Sequence, residues 1–313
     1  MTTSGSVDHS VTRDNLIDDA LALVGGIDVG GTPATAQYTH GARQLNNIVK
    51  AWQSMGIQLW ARATGYVLPF TEDNNTTIGP SGGHVTASYV QTTLSAAASD
   101  GATTISVTSA TGISSTYYIG IEMDDDTMHW TTVNGAPSGT TVTLTAAIDD
   151  DAASGNYVYV YQTKLARPIR IVDAYIHDQE SDFDYPLSMV AFSTQTGHGS
   201  NTATGVPVQW NYDPQLVNGG FSIYPQFLGG RKLIIITYQR PFHDFDATGD
   251  TPDFPQEGYD ALMLALATRL APVYGMPVQD RALLKAEAKE ALDLFISNEP
   301  EEGSFQIQPD LTR

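Results

Sequence analysis

The sequence predicts an α+β protein, with terminal helices that form a helical base, an antiparallel β middle and an inserted small all-β domain. Three observations predict this class. Apolar residues recur at helical spacing near both ends, at residues 12–56 and 252–300. Between them, polar and apolar residues alternate at the period of two that marks half-buried strands. Residues 85–164 combine short strand-like segments with closely spaced turn residues.

Two helices are predicted in the N-terminal region. Thr12 is a suitable N-cap for the first, and the Gly25-Gly26 pair ends it. The Thr32-Pro33 pair then predicts the start of a second helix, because a capping hydroxyl followed by proline suits a first turn.

The middle of the chain outside the insert contains six strand signals. They lie at residues 65–70, 167–176, 186–192, 206–212, 221–226 and 232–239. The last is a nearly continuous apolar run, which predicts a strand that is covered on both faces.

The insert has its own β pattern. Its predicted strands lie at residues 103–107, 128–133, 141–145 and 157–161, separated by turn clusters. Short strands with such punctuation favour a small sandwich or barrel. We therefore divide the chain into a core, residues 1–84 and 165–313, and an inserted β domain, residues 85–164.

Two helices joined by a Pro/Gly elbow are predicted over residues 252–300. Apolar side chains surround the first of them almost completely, and Arg269 is its only charge between Ala261 and Ala271. A helix of this kind is covered on nearly all sides, either at the centre of a large core or between neighbouring subunits. The interface candidates are Tyr259, Leu262, Met263, Leu266, Ala267, Leu270 and Tyr274.

Charge and cysteine content exclude several classes of protein. The 313 residues include 15 Lys and Arg against 35 Asp and Glu, a formal net charge of −20. This balance opposes a wrapped nucleic-acid interface, which needs clustered basic residues, but lets duplex DNA pass without adhering. Cysteine is absent, which excludes disulfides, thiolate zinc sites and a cysteine nucleophile. We find no secretory signal and no window of transmembrane length.

The sequence contains no convincing catalytic constellation. The G-x-S-x-G match at residues 79–83 lacks the strand-to-helix setting of a nucleophile elbow and is interpreted as a flexible linker. The aspartate triplets 124–126 and 149–151 lack EF-hand spacing and favour solvated turns over Ca²⁺ sites. His243, near two aspartates, fits a charged loop as well as a proton shuttle. We predict no catalytic residue, no cofactor, no metal and no enzymatic activity.

Several segments also carry a family resemblance. The most specific is residues 253–275, which read D-F-P-x-E-x-x-x-A-L, then L-A-x-x-L-A-P-x-Y-G. With the N-terminal helices, R-P-I-R-I at residues 167–171 and Y-Q-R-P-F at residues 238–242, it resembles the head-to-tail adaptor proteins of short-tailed bacteriophages. This family is also called tail accessory factors or, in one branch, tail tubular protein A. The resemblance covers about two thirds of the chain, and residues 85–164 are not general to the family.

The resemblance implies a structural virion protein at the head–tail junction, assembled in the host cytoplasm. Its subunits, typically twelve, form a ring beneath the portal protein and above the tail nozzle protein. The helical part packs around the DNA ejection channel and against the portal, whereas the β part faces the tail. Double-stranded DNA passes through without specific binding, and no membrane is involved.

The inserted domain is expected to be autonomous and to lie outside the ring. There it is free to meet a tail fibre, the capsid vertex or a neighbouring insert. The contact candidates are Tyr117, Tyr118, Trp130 and Tyr159, although core packing is the alternative use of Trp130.

Two other functions are considered. A secreted or surface carbohydrate-binding β protein is suggested by Trp130 and the tyrosines of the insert, but the missing signal and the terminal helices disfavour it. A hydrolase would have only scattered histidine and aspartate residues to use.

Overall fold

The computed structural model describes residues 5–55, 59–69, 75–196, 203–226 and 231–297. The chain forms two compact units, Met1–Ala61 with Phe242–Arg313, and Arg62–Pro241. Helices dominate the first unit and antiparallel sheets the second, so the α+β class is confirmed. This division differs from the predicted one, because it groups the β middle with residues 85–164.

Five α-helices lie in the described part of the chain. They are α1 (Arg13–Leu23), α2 (Thr35–Ser54), α3 (Phe192–Thr196), α4 (Tyr259–Leu270) and α5 (Val278–Ser297). All but α3 belong to the first unit, called here the helical unit.

The described strands all belong to the second unit, called here the β unit. They are β1 (Arg62–Val67), β2 (Asn75–Ile78), β3 (Val85–Thr86), β4 (Val90–Thr93), β5 (Thr104–Ser106), β6 (Tyr118–Glu122), β7 (Met128–Thr132), β8 (Thr141–Thr143), β9 (Tyr157–Tyr161), β10 (Arg170–Asp178), β11 (Phe183–Pro186), β12 (Ser188–Met189), β13 (Gln209–Asp213), β14 (Gly219–Tyr224) and β15 (Lys232–Gln239). Of the predicted strand residues, Phe70 lies outside the described residues.

Local sequence explains the N-terminal helix boundaries. The Thr12 hydroxyl accepts a hydrogen bond from the Asn15 backbone N–H, and the Asn15 side chain accepts one from the Thr12 N–H in return. Gly25 adopts a φ of 70°, which ends α1 as predicted. The predicted start of α2 was wrong: the helix begins after Ala34, whose N–H donates to the Gln37 side chain instead of to a Thr32 cap.

One apolar core holds the helical unit together. It contains Leu21 of α1, Trp52 of α2, Leu266 of α4 and Leu284 of α5. Trp52 meets Phe254 edge-on, with ring centroids 5.8 Å apart. The helices from the two ends of the chain therefore share a core, as their apolar stripes predicted.

The β unit contains two sheets outside the insert. The five-stranded sheet has the order β11-β10-β15-β1-β3, and the four-stranded sheet has the order β12-β13-β14-β2. The named strand pairs are antiparallel except β12 and β13, which run parallel. In β15, Leu233 packs into one core and Ile234 into another, so this strand is covered on both faces as predicted.

The insert folds around an apolar core of its own. A four-stranded sheet, β4-β9-β6-β7, and a two-stranded sheet, β5-β8, both contribute to it. The predicted boundary at residue 85 falls in β3, which pairs with β1 of the five-stranded sheet. The first residues assigned to the insert are therefore part of the sheet that carries it.

Candidate functional site

The predicted subunit interface lies mostly inside the helical unit. Helix α4 is contacted by α1, α2 and α5 of its own chain. The residues without solvent exposure are Leu262, Leu266, Ala267 and Leu270. Tyr259, Met263 and Tyr274 are partly buried. Helices of the same chain therefore bury most of the apolar side chains that surround α4. Of the interface candidates, only the partly buried residues remain accessible to a neighbouring subunit.

Helix α5 leaves two leucine side chains in solvent. Its core stripe includes Leu284 and Phe295, yet Leu283 is 63% exposed and Leu294 is 65% exposed. They are separated by about three helical turns, so they lie along the same side of the helix. These leucines could not be predicted from periodicity, because two leucines among carboxylates form no apolar stripe.

Carboxylates surround these two leucines. The exposed acidic residues of α5 are Asp280, Glu287, Glu290 and Asp293. Within the described residues none of them forms an ion pair. This part of α5 therefore combines apolar surface with uncompensated negative charge.

The β unit exposes a second apolar surface. A cavity of about 360 Å³ lies beside β10 and β13, lined in part by Ile169, Met189 and Trp210. Trp210 is buried, and its indole N–H has no hydrogen-bond partner in the described part of the chain. The sheet that contains β13 and its loops also expose large apolar side chains, which are Met189, Val206, Val208, Leu216 and Val217.

An aromatic joint connects the insert to the five-stranded sheet. We use this name for a cluster of five buried residues and the aromatic rings around them. The buried residues are Leu68, Met128, Tyr159, Tyr161 and Leu233, and the surrounding rings are Tyr66, Tyr89, Tyr118, Trp130 and Tyr157. Because this cluster contains residues from both sides, the insert is docked on the sheet as well as linked to it.

Trp130 and His84 form the densest part of the joint. The indole lies against Gly120, where any Cβ would approach the ring to 2.6 Å. His84 accepts or donates a hydrogen bond with the Tyr161 hydroxyl at 2.8 Å. Burial, and then the nearby Lys164 ammonium, lower the pKa of His84 to about 3, so the imidazole is neutral. Lys164 itself lies over the Tyr118 ring, 5.2 Å from its centroid.

Polar contacts complete the joint at the Tyr159 end. The Tyr159 hydroxyl donates to the Gln179 side chain, which in turn donates to Gln91 at 2.8 Å. Burial raises the pKa of Tyr159, so its hydroxyl stays protonated and can keep donating. Nearby, Arg231 pairs with the buried Glu122 at 2.8 Å.

The candidate contact residues of the insert are therefore largely occupied. Tyr159 has no solvent exposure, and Tyr118 and Trp130 are partly buried in the joint. Tyr117 packs against the core of the insert. Trp130, for which core packing was the alternative, packs in the joint and not in the core of the insert.

The serine and aspartate residues that were weighed as a nucleophile or as metal ligands have local structural roles. Ser81 lies in a hydrogen-bonded turn between β2 and β3, and its hydroxyl accepts from Asn218 at 2.9 Å. It is therefore not in a flexible linker. Asp124 accepts from the Ala153 N–H at 2.7 Å, and Asp151 from the Asp100 N–H at 2.8 Å. Within the described residues, no group of three His, Cys, Asp or Glu could hold a metal ion.

Comparison with known proteins gives no assignment. No family model matches this chain, and no curated protein matches it. In the described part of the chain, none of the helices combines the length and the apolar character that a membrane span needs.

Proposed function

We propose that this protein is a structural virion protein, a head-to-tail adaptor whose subunits form a ring between the portal and the tail nozzle. The observation that carries the proposal is that each unit leaves an apolar surface in solvent. The helical unit exposes Leu283 and Leu294, and the β unit exposes the Met189–Val208 region. Exposed apolar patches mark interaction sites, and an adaptor needs at least two of them.

The sequence resemblance assigns a partner to each unit. The helical unit binds the portal and the β unit binds the tail nozzle, in a ring that typically has twelve subunits. The net charge of −20 supports a conduit through which DNA moves without being held. A tail fibre is the further partner that we propose for the insert, through the surface that the aromatic joint leaves open.

The alternative functions lose support from the geometry. The rings of the insert that suggested a carbohydrate-binding surface are engaged in the joint, because Trp130 is stacked on His84 and Tyr159 is buried. His243, Asp244 and Asp246, the group that suggested a hydrolase, lie exposed in a loop. We therefore propose a non-enzymatic role.

The test mixes the full chain with the portal protein and the nozzle protein from the same phage genome. Electron microscopy and native mass measurement should show rings that bind both partners. A Met189→Glu variant should lose nozzle binding and keep portal binding. The control is Phe183→Glu on the other sheet, where Phe183 is 56% exposed, and this variant should keep both partners. A chain that stays monomeric and binds neither partner would rule out the proposal.

A further inference from the structure

Helix α5 has two chemically different lateral sides. Successive residues of an α-helix are about 100° apart around its axis. With its buried stripe toward the core, Leu283, Glu287, Glu290 and Leu294 lie along one side, called here the leucine ridge. Val278, Lys285, Lys289 and Ile296 lie along the opposite side, called here the lysine side. Each side is about a quarter to a third of a turn from the buried stripe.

The two sides are complementary in chemistry. Val278 is 71% exposed, and Lys285 and Lys289 are also exposed. Within the described residues, neither lysine forms an ion pair. Lysine side chains also cover apolar surface with their methylene stems while the ammonium stays in water, which suits contact with exposed leucines.

The two sides also match in height along the helix. Lys289 and Glu290 are one residue apart, so their heights along the helix axis differ by about 1.5 Å. Lys285 and Glu287 are two residues apart, which is a difference in height of about 3 Å. Leu294 and Ile296 also differ by about 3 Å. When copies related by a rotation axis stand side by side with their helices along that axis, equal residues have equal heights. Each carboxylate of the ridge then faces an ammonium of the next copy.

We propose that α5 forms the contact between neighbouring copies of this chain, with the leucine ridge of one copy against the lysine side of the next. The inference rests on the proposed ring and names the surface that closes it. A contact between two different patches closes into a ring under cyclic symmetry. A symmetric pair of two ridges would instead bring Glu287 and Glu290 of both copies together, which like-charge repulsion opposes.

The test reverses the charges of one side at a time. The ridge variant is Glu287→Lys with Glu290→Lys, and the lysine-side variant is Lys285→Glu with Lys289→Glu. Each alone should need at least about tenfold more protein to assemble, because both of its sides then carry one sign. A mixture of the two variants should assemble again, and so should the quadruple variant. Circular dichroism and melting temperature check that each variant is folded.

A matched control carries the same charge change elsewhere. Asp19→Lys with Asp260→Lys alters two exposed residues on α1 and α4 and should assemble like the unmodified chain. As a direct probe, a mixture of Lys289→Cys and Glu290→Cys chains should give a mixed disulfide-linked dimer on oxidation. The chain contains no cysteine of its own, so the competing disulfides are the two dimers of identical variants, and the mixed dimer should exceed both.

Assembly is measured by native mass with the chain alone and with the portal protein from the same genome. If rings form but the reversed variants assemble normally, or the mixture does not recover, this inference is wrong while the adaptor proposal stands. If the ridge variant loses only portal binding, the ridge contacts a basic partner and not a second copy. If the unmodified chain forms no ring under either condition, both proposals fail.

Discussion

The imidazole of His84 lies flat on the indole of Trp130, with ring centroids 3.8 Å apart and planes 8° apart. His84 directly precedes β3 of the five-stranded sheet, and Trp130 belongs to β7 of the insert. The indole N–H donates to the Pro69 carbonyl at 3.1 Å, on the same side of the joint as the imidazole. This stack therefore holds the insert on the sheet in addition to the covalent connections of the chain.

The stack predicts a pH-dependent stability. The pKa of His84 is lowered from 6.5 to about 3 by burial and by Lys164. As the pH falls below about 6.5, the unfolded chain takes up a proton at this site and the folded chain does not. The free energy of unfolding should therefore decrease as the pH falls, by up to about 1.4 kcal/mol per pH unit. Above about pH 6.5 His84 is neutral in both the folded and the unfolded chain, so no stability is lost at this site.

A His84→Phe variant measures this contribution. It keeps a ring against Trp130 but cannot titrate, so its stability should depend less on pH than that of the unmodified chain. Urea unfolding between about pH 7 and about pH 5 gives both slopes, and the carboxylates contribute equally to each. Equal slopes in the two proteins would contradict the prediction.

Gly120 predicts a second sensitive position in the joint. A Cβ at residue 120 would lie 2.6 Å from three carbons of the Trp130 indole, which is rigid and stacked on His84. Gly120→Ala should therefore cost about 1–3 kcal/mol of stability, the usual range for overpacking. Gly249→Ala adds a Cβ in open space and should stay within about 0.5 kcal/mol. A neutral Gly120→Ala would mean that Trp130 can move away freely.

Much of the fold was predictable because its signals are local. The Thr12 cap, the Gly25 terminus and the strands at β9 and β15 follow from neighbouring residues alone. The start of α2 was not predictable from the Thr32-Pro33 pair, because the Gln37 side chain supplies the cap from inside the helix.

The surfaces were harder to predict because burial is a tertiary property. Periodicity identified α4 as covered on all sides but could not say whether its own chain or a neighbour covers it. Likewise, Tyr159 and Trp130 each lie on a strand for which the sequence predicts one face turned away from the core of the insert. Only the structure shows that this face packs against Leu68 and Leu233. Leu283 and Leu294 were overlooked since two leucines among carboxylates form no apolar stripe.

Removal of the insert tests the joint as a whole. Sequence alone predicts that deletion of residues 85–162 is tolerated. The structure predicts the opposite, because this deletion removes β3 and exposes Leu68 and Leu233, which are fully buried. We expect insoluble protein from it. A shorter deletion of residues 88–161 with Leu68→Ser and Leu233→Thr should be soluble, and solubility of the longer deletion without these changes would contradict the docking.

Ala267 distinguishes core from interface in α4. It has no solvent exposure within its own chain, so Ala267→Glu would bury a carboxylate without a partner and should unfold the helical unit. Ala265, two residues earlier, is only partly buried, and Ala265→Glu should lower the melting temperature much less. Thermal unfolding of both variants makes the comparison. Normal stability of Ala267→Glu together with loss of assembly would instead favour the subunit-interface interpretation.

The pair formed by Glu122 and Arg231 gives the last prediction. Glu122 belongs to β6 of the insert and its side chain is 3% exposed, whereas Arg231 precedes β15 of the sheet that carries the insert. One carboxylate oxygen of Glu122 accepts from Arg231 and the other from the Tyr157 N–H, each at 2.8 Å. Arg231 also pairs with Glu180, which is 57% exposed.

These environments predict an order of effects. Arg231→Met leaves a buried carboxylate without its cation and should cost about 3–5 kcal/mol. Glu180→Gln removes only a solvent-screened partner and should cost less than about 1 kcal/mol. Glu122→Gln keeps the acceptor for the Tyr157 N–H and leaves Arg231 paired with Glu180. Its loss of stability should therefore lie between those of Glu180→Gln and Arg231→Met. Combining Glu122→Gln with Arg231→Met should recover part of the Arg231→Met loss, because the double variant buries no charge. Urea unfolding of the four proteins gives this order, and a Glu180→Gln loss as large as that of Arg231→Met would show that the buried pair does not hold the insert in place.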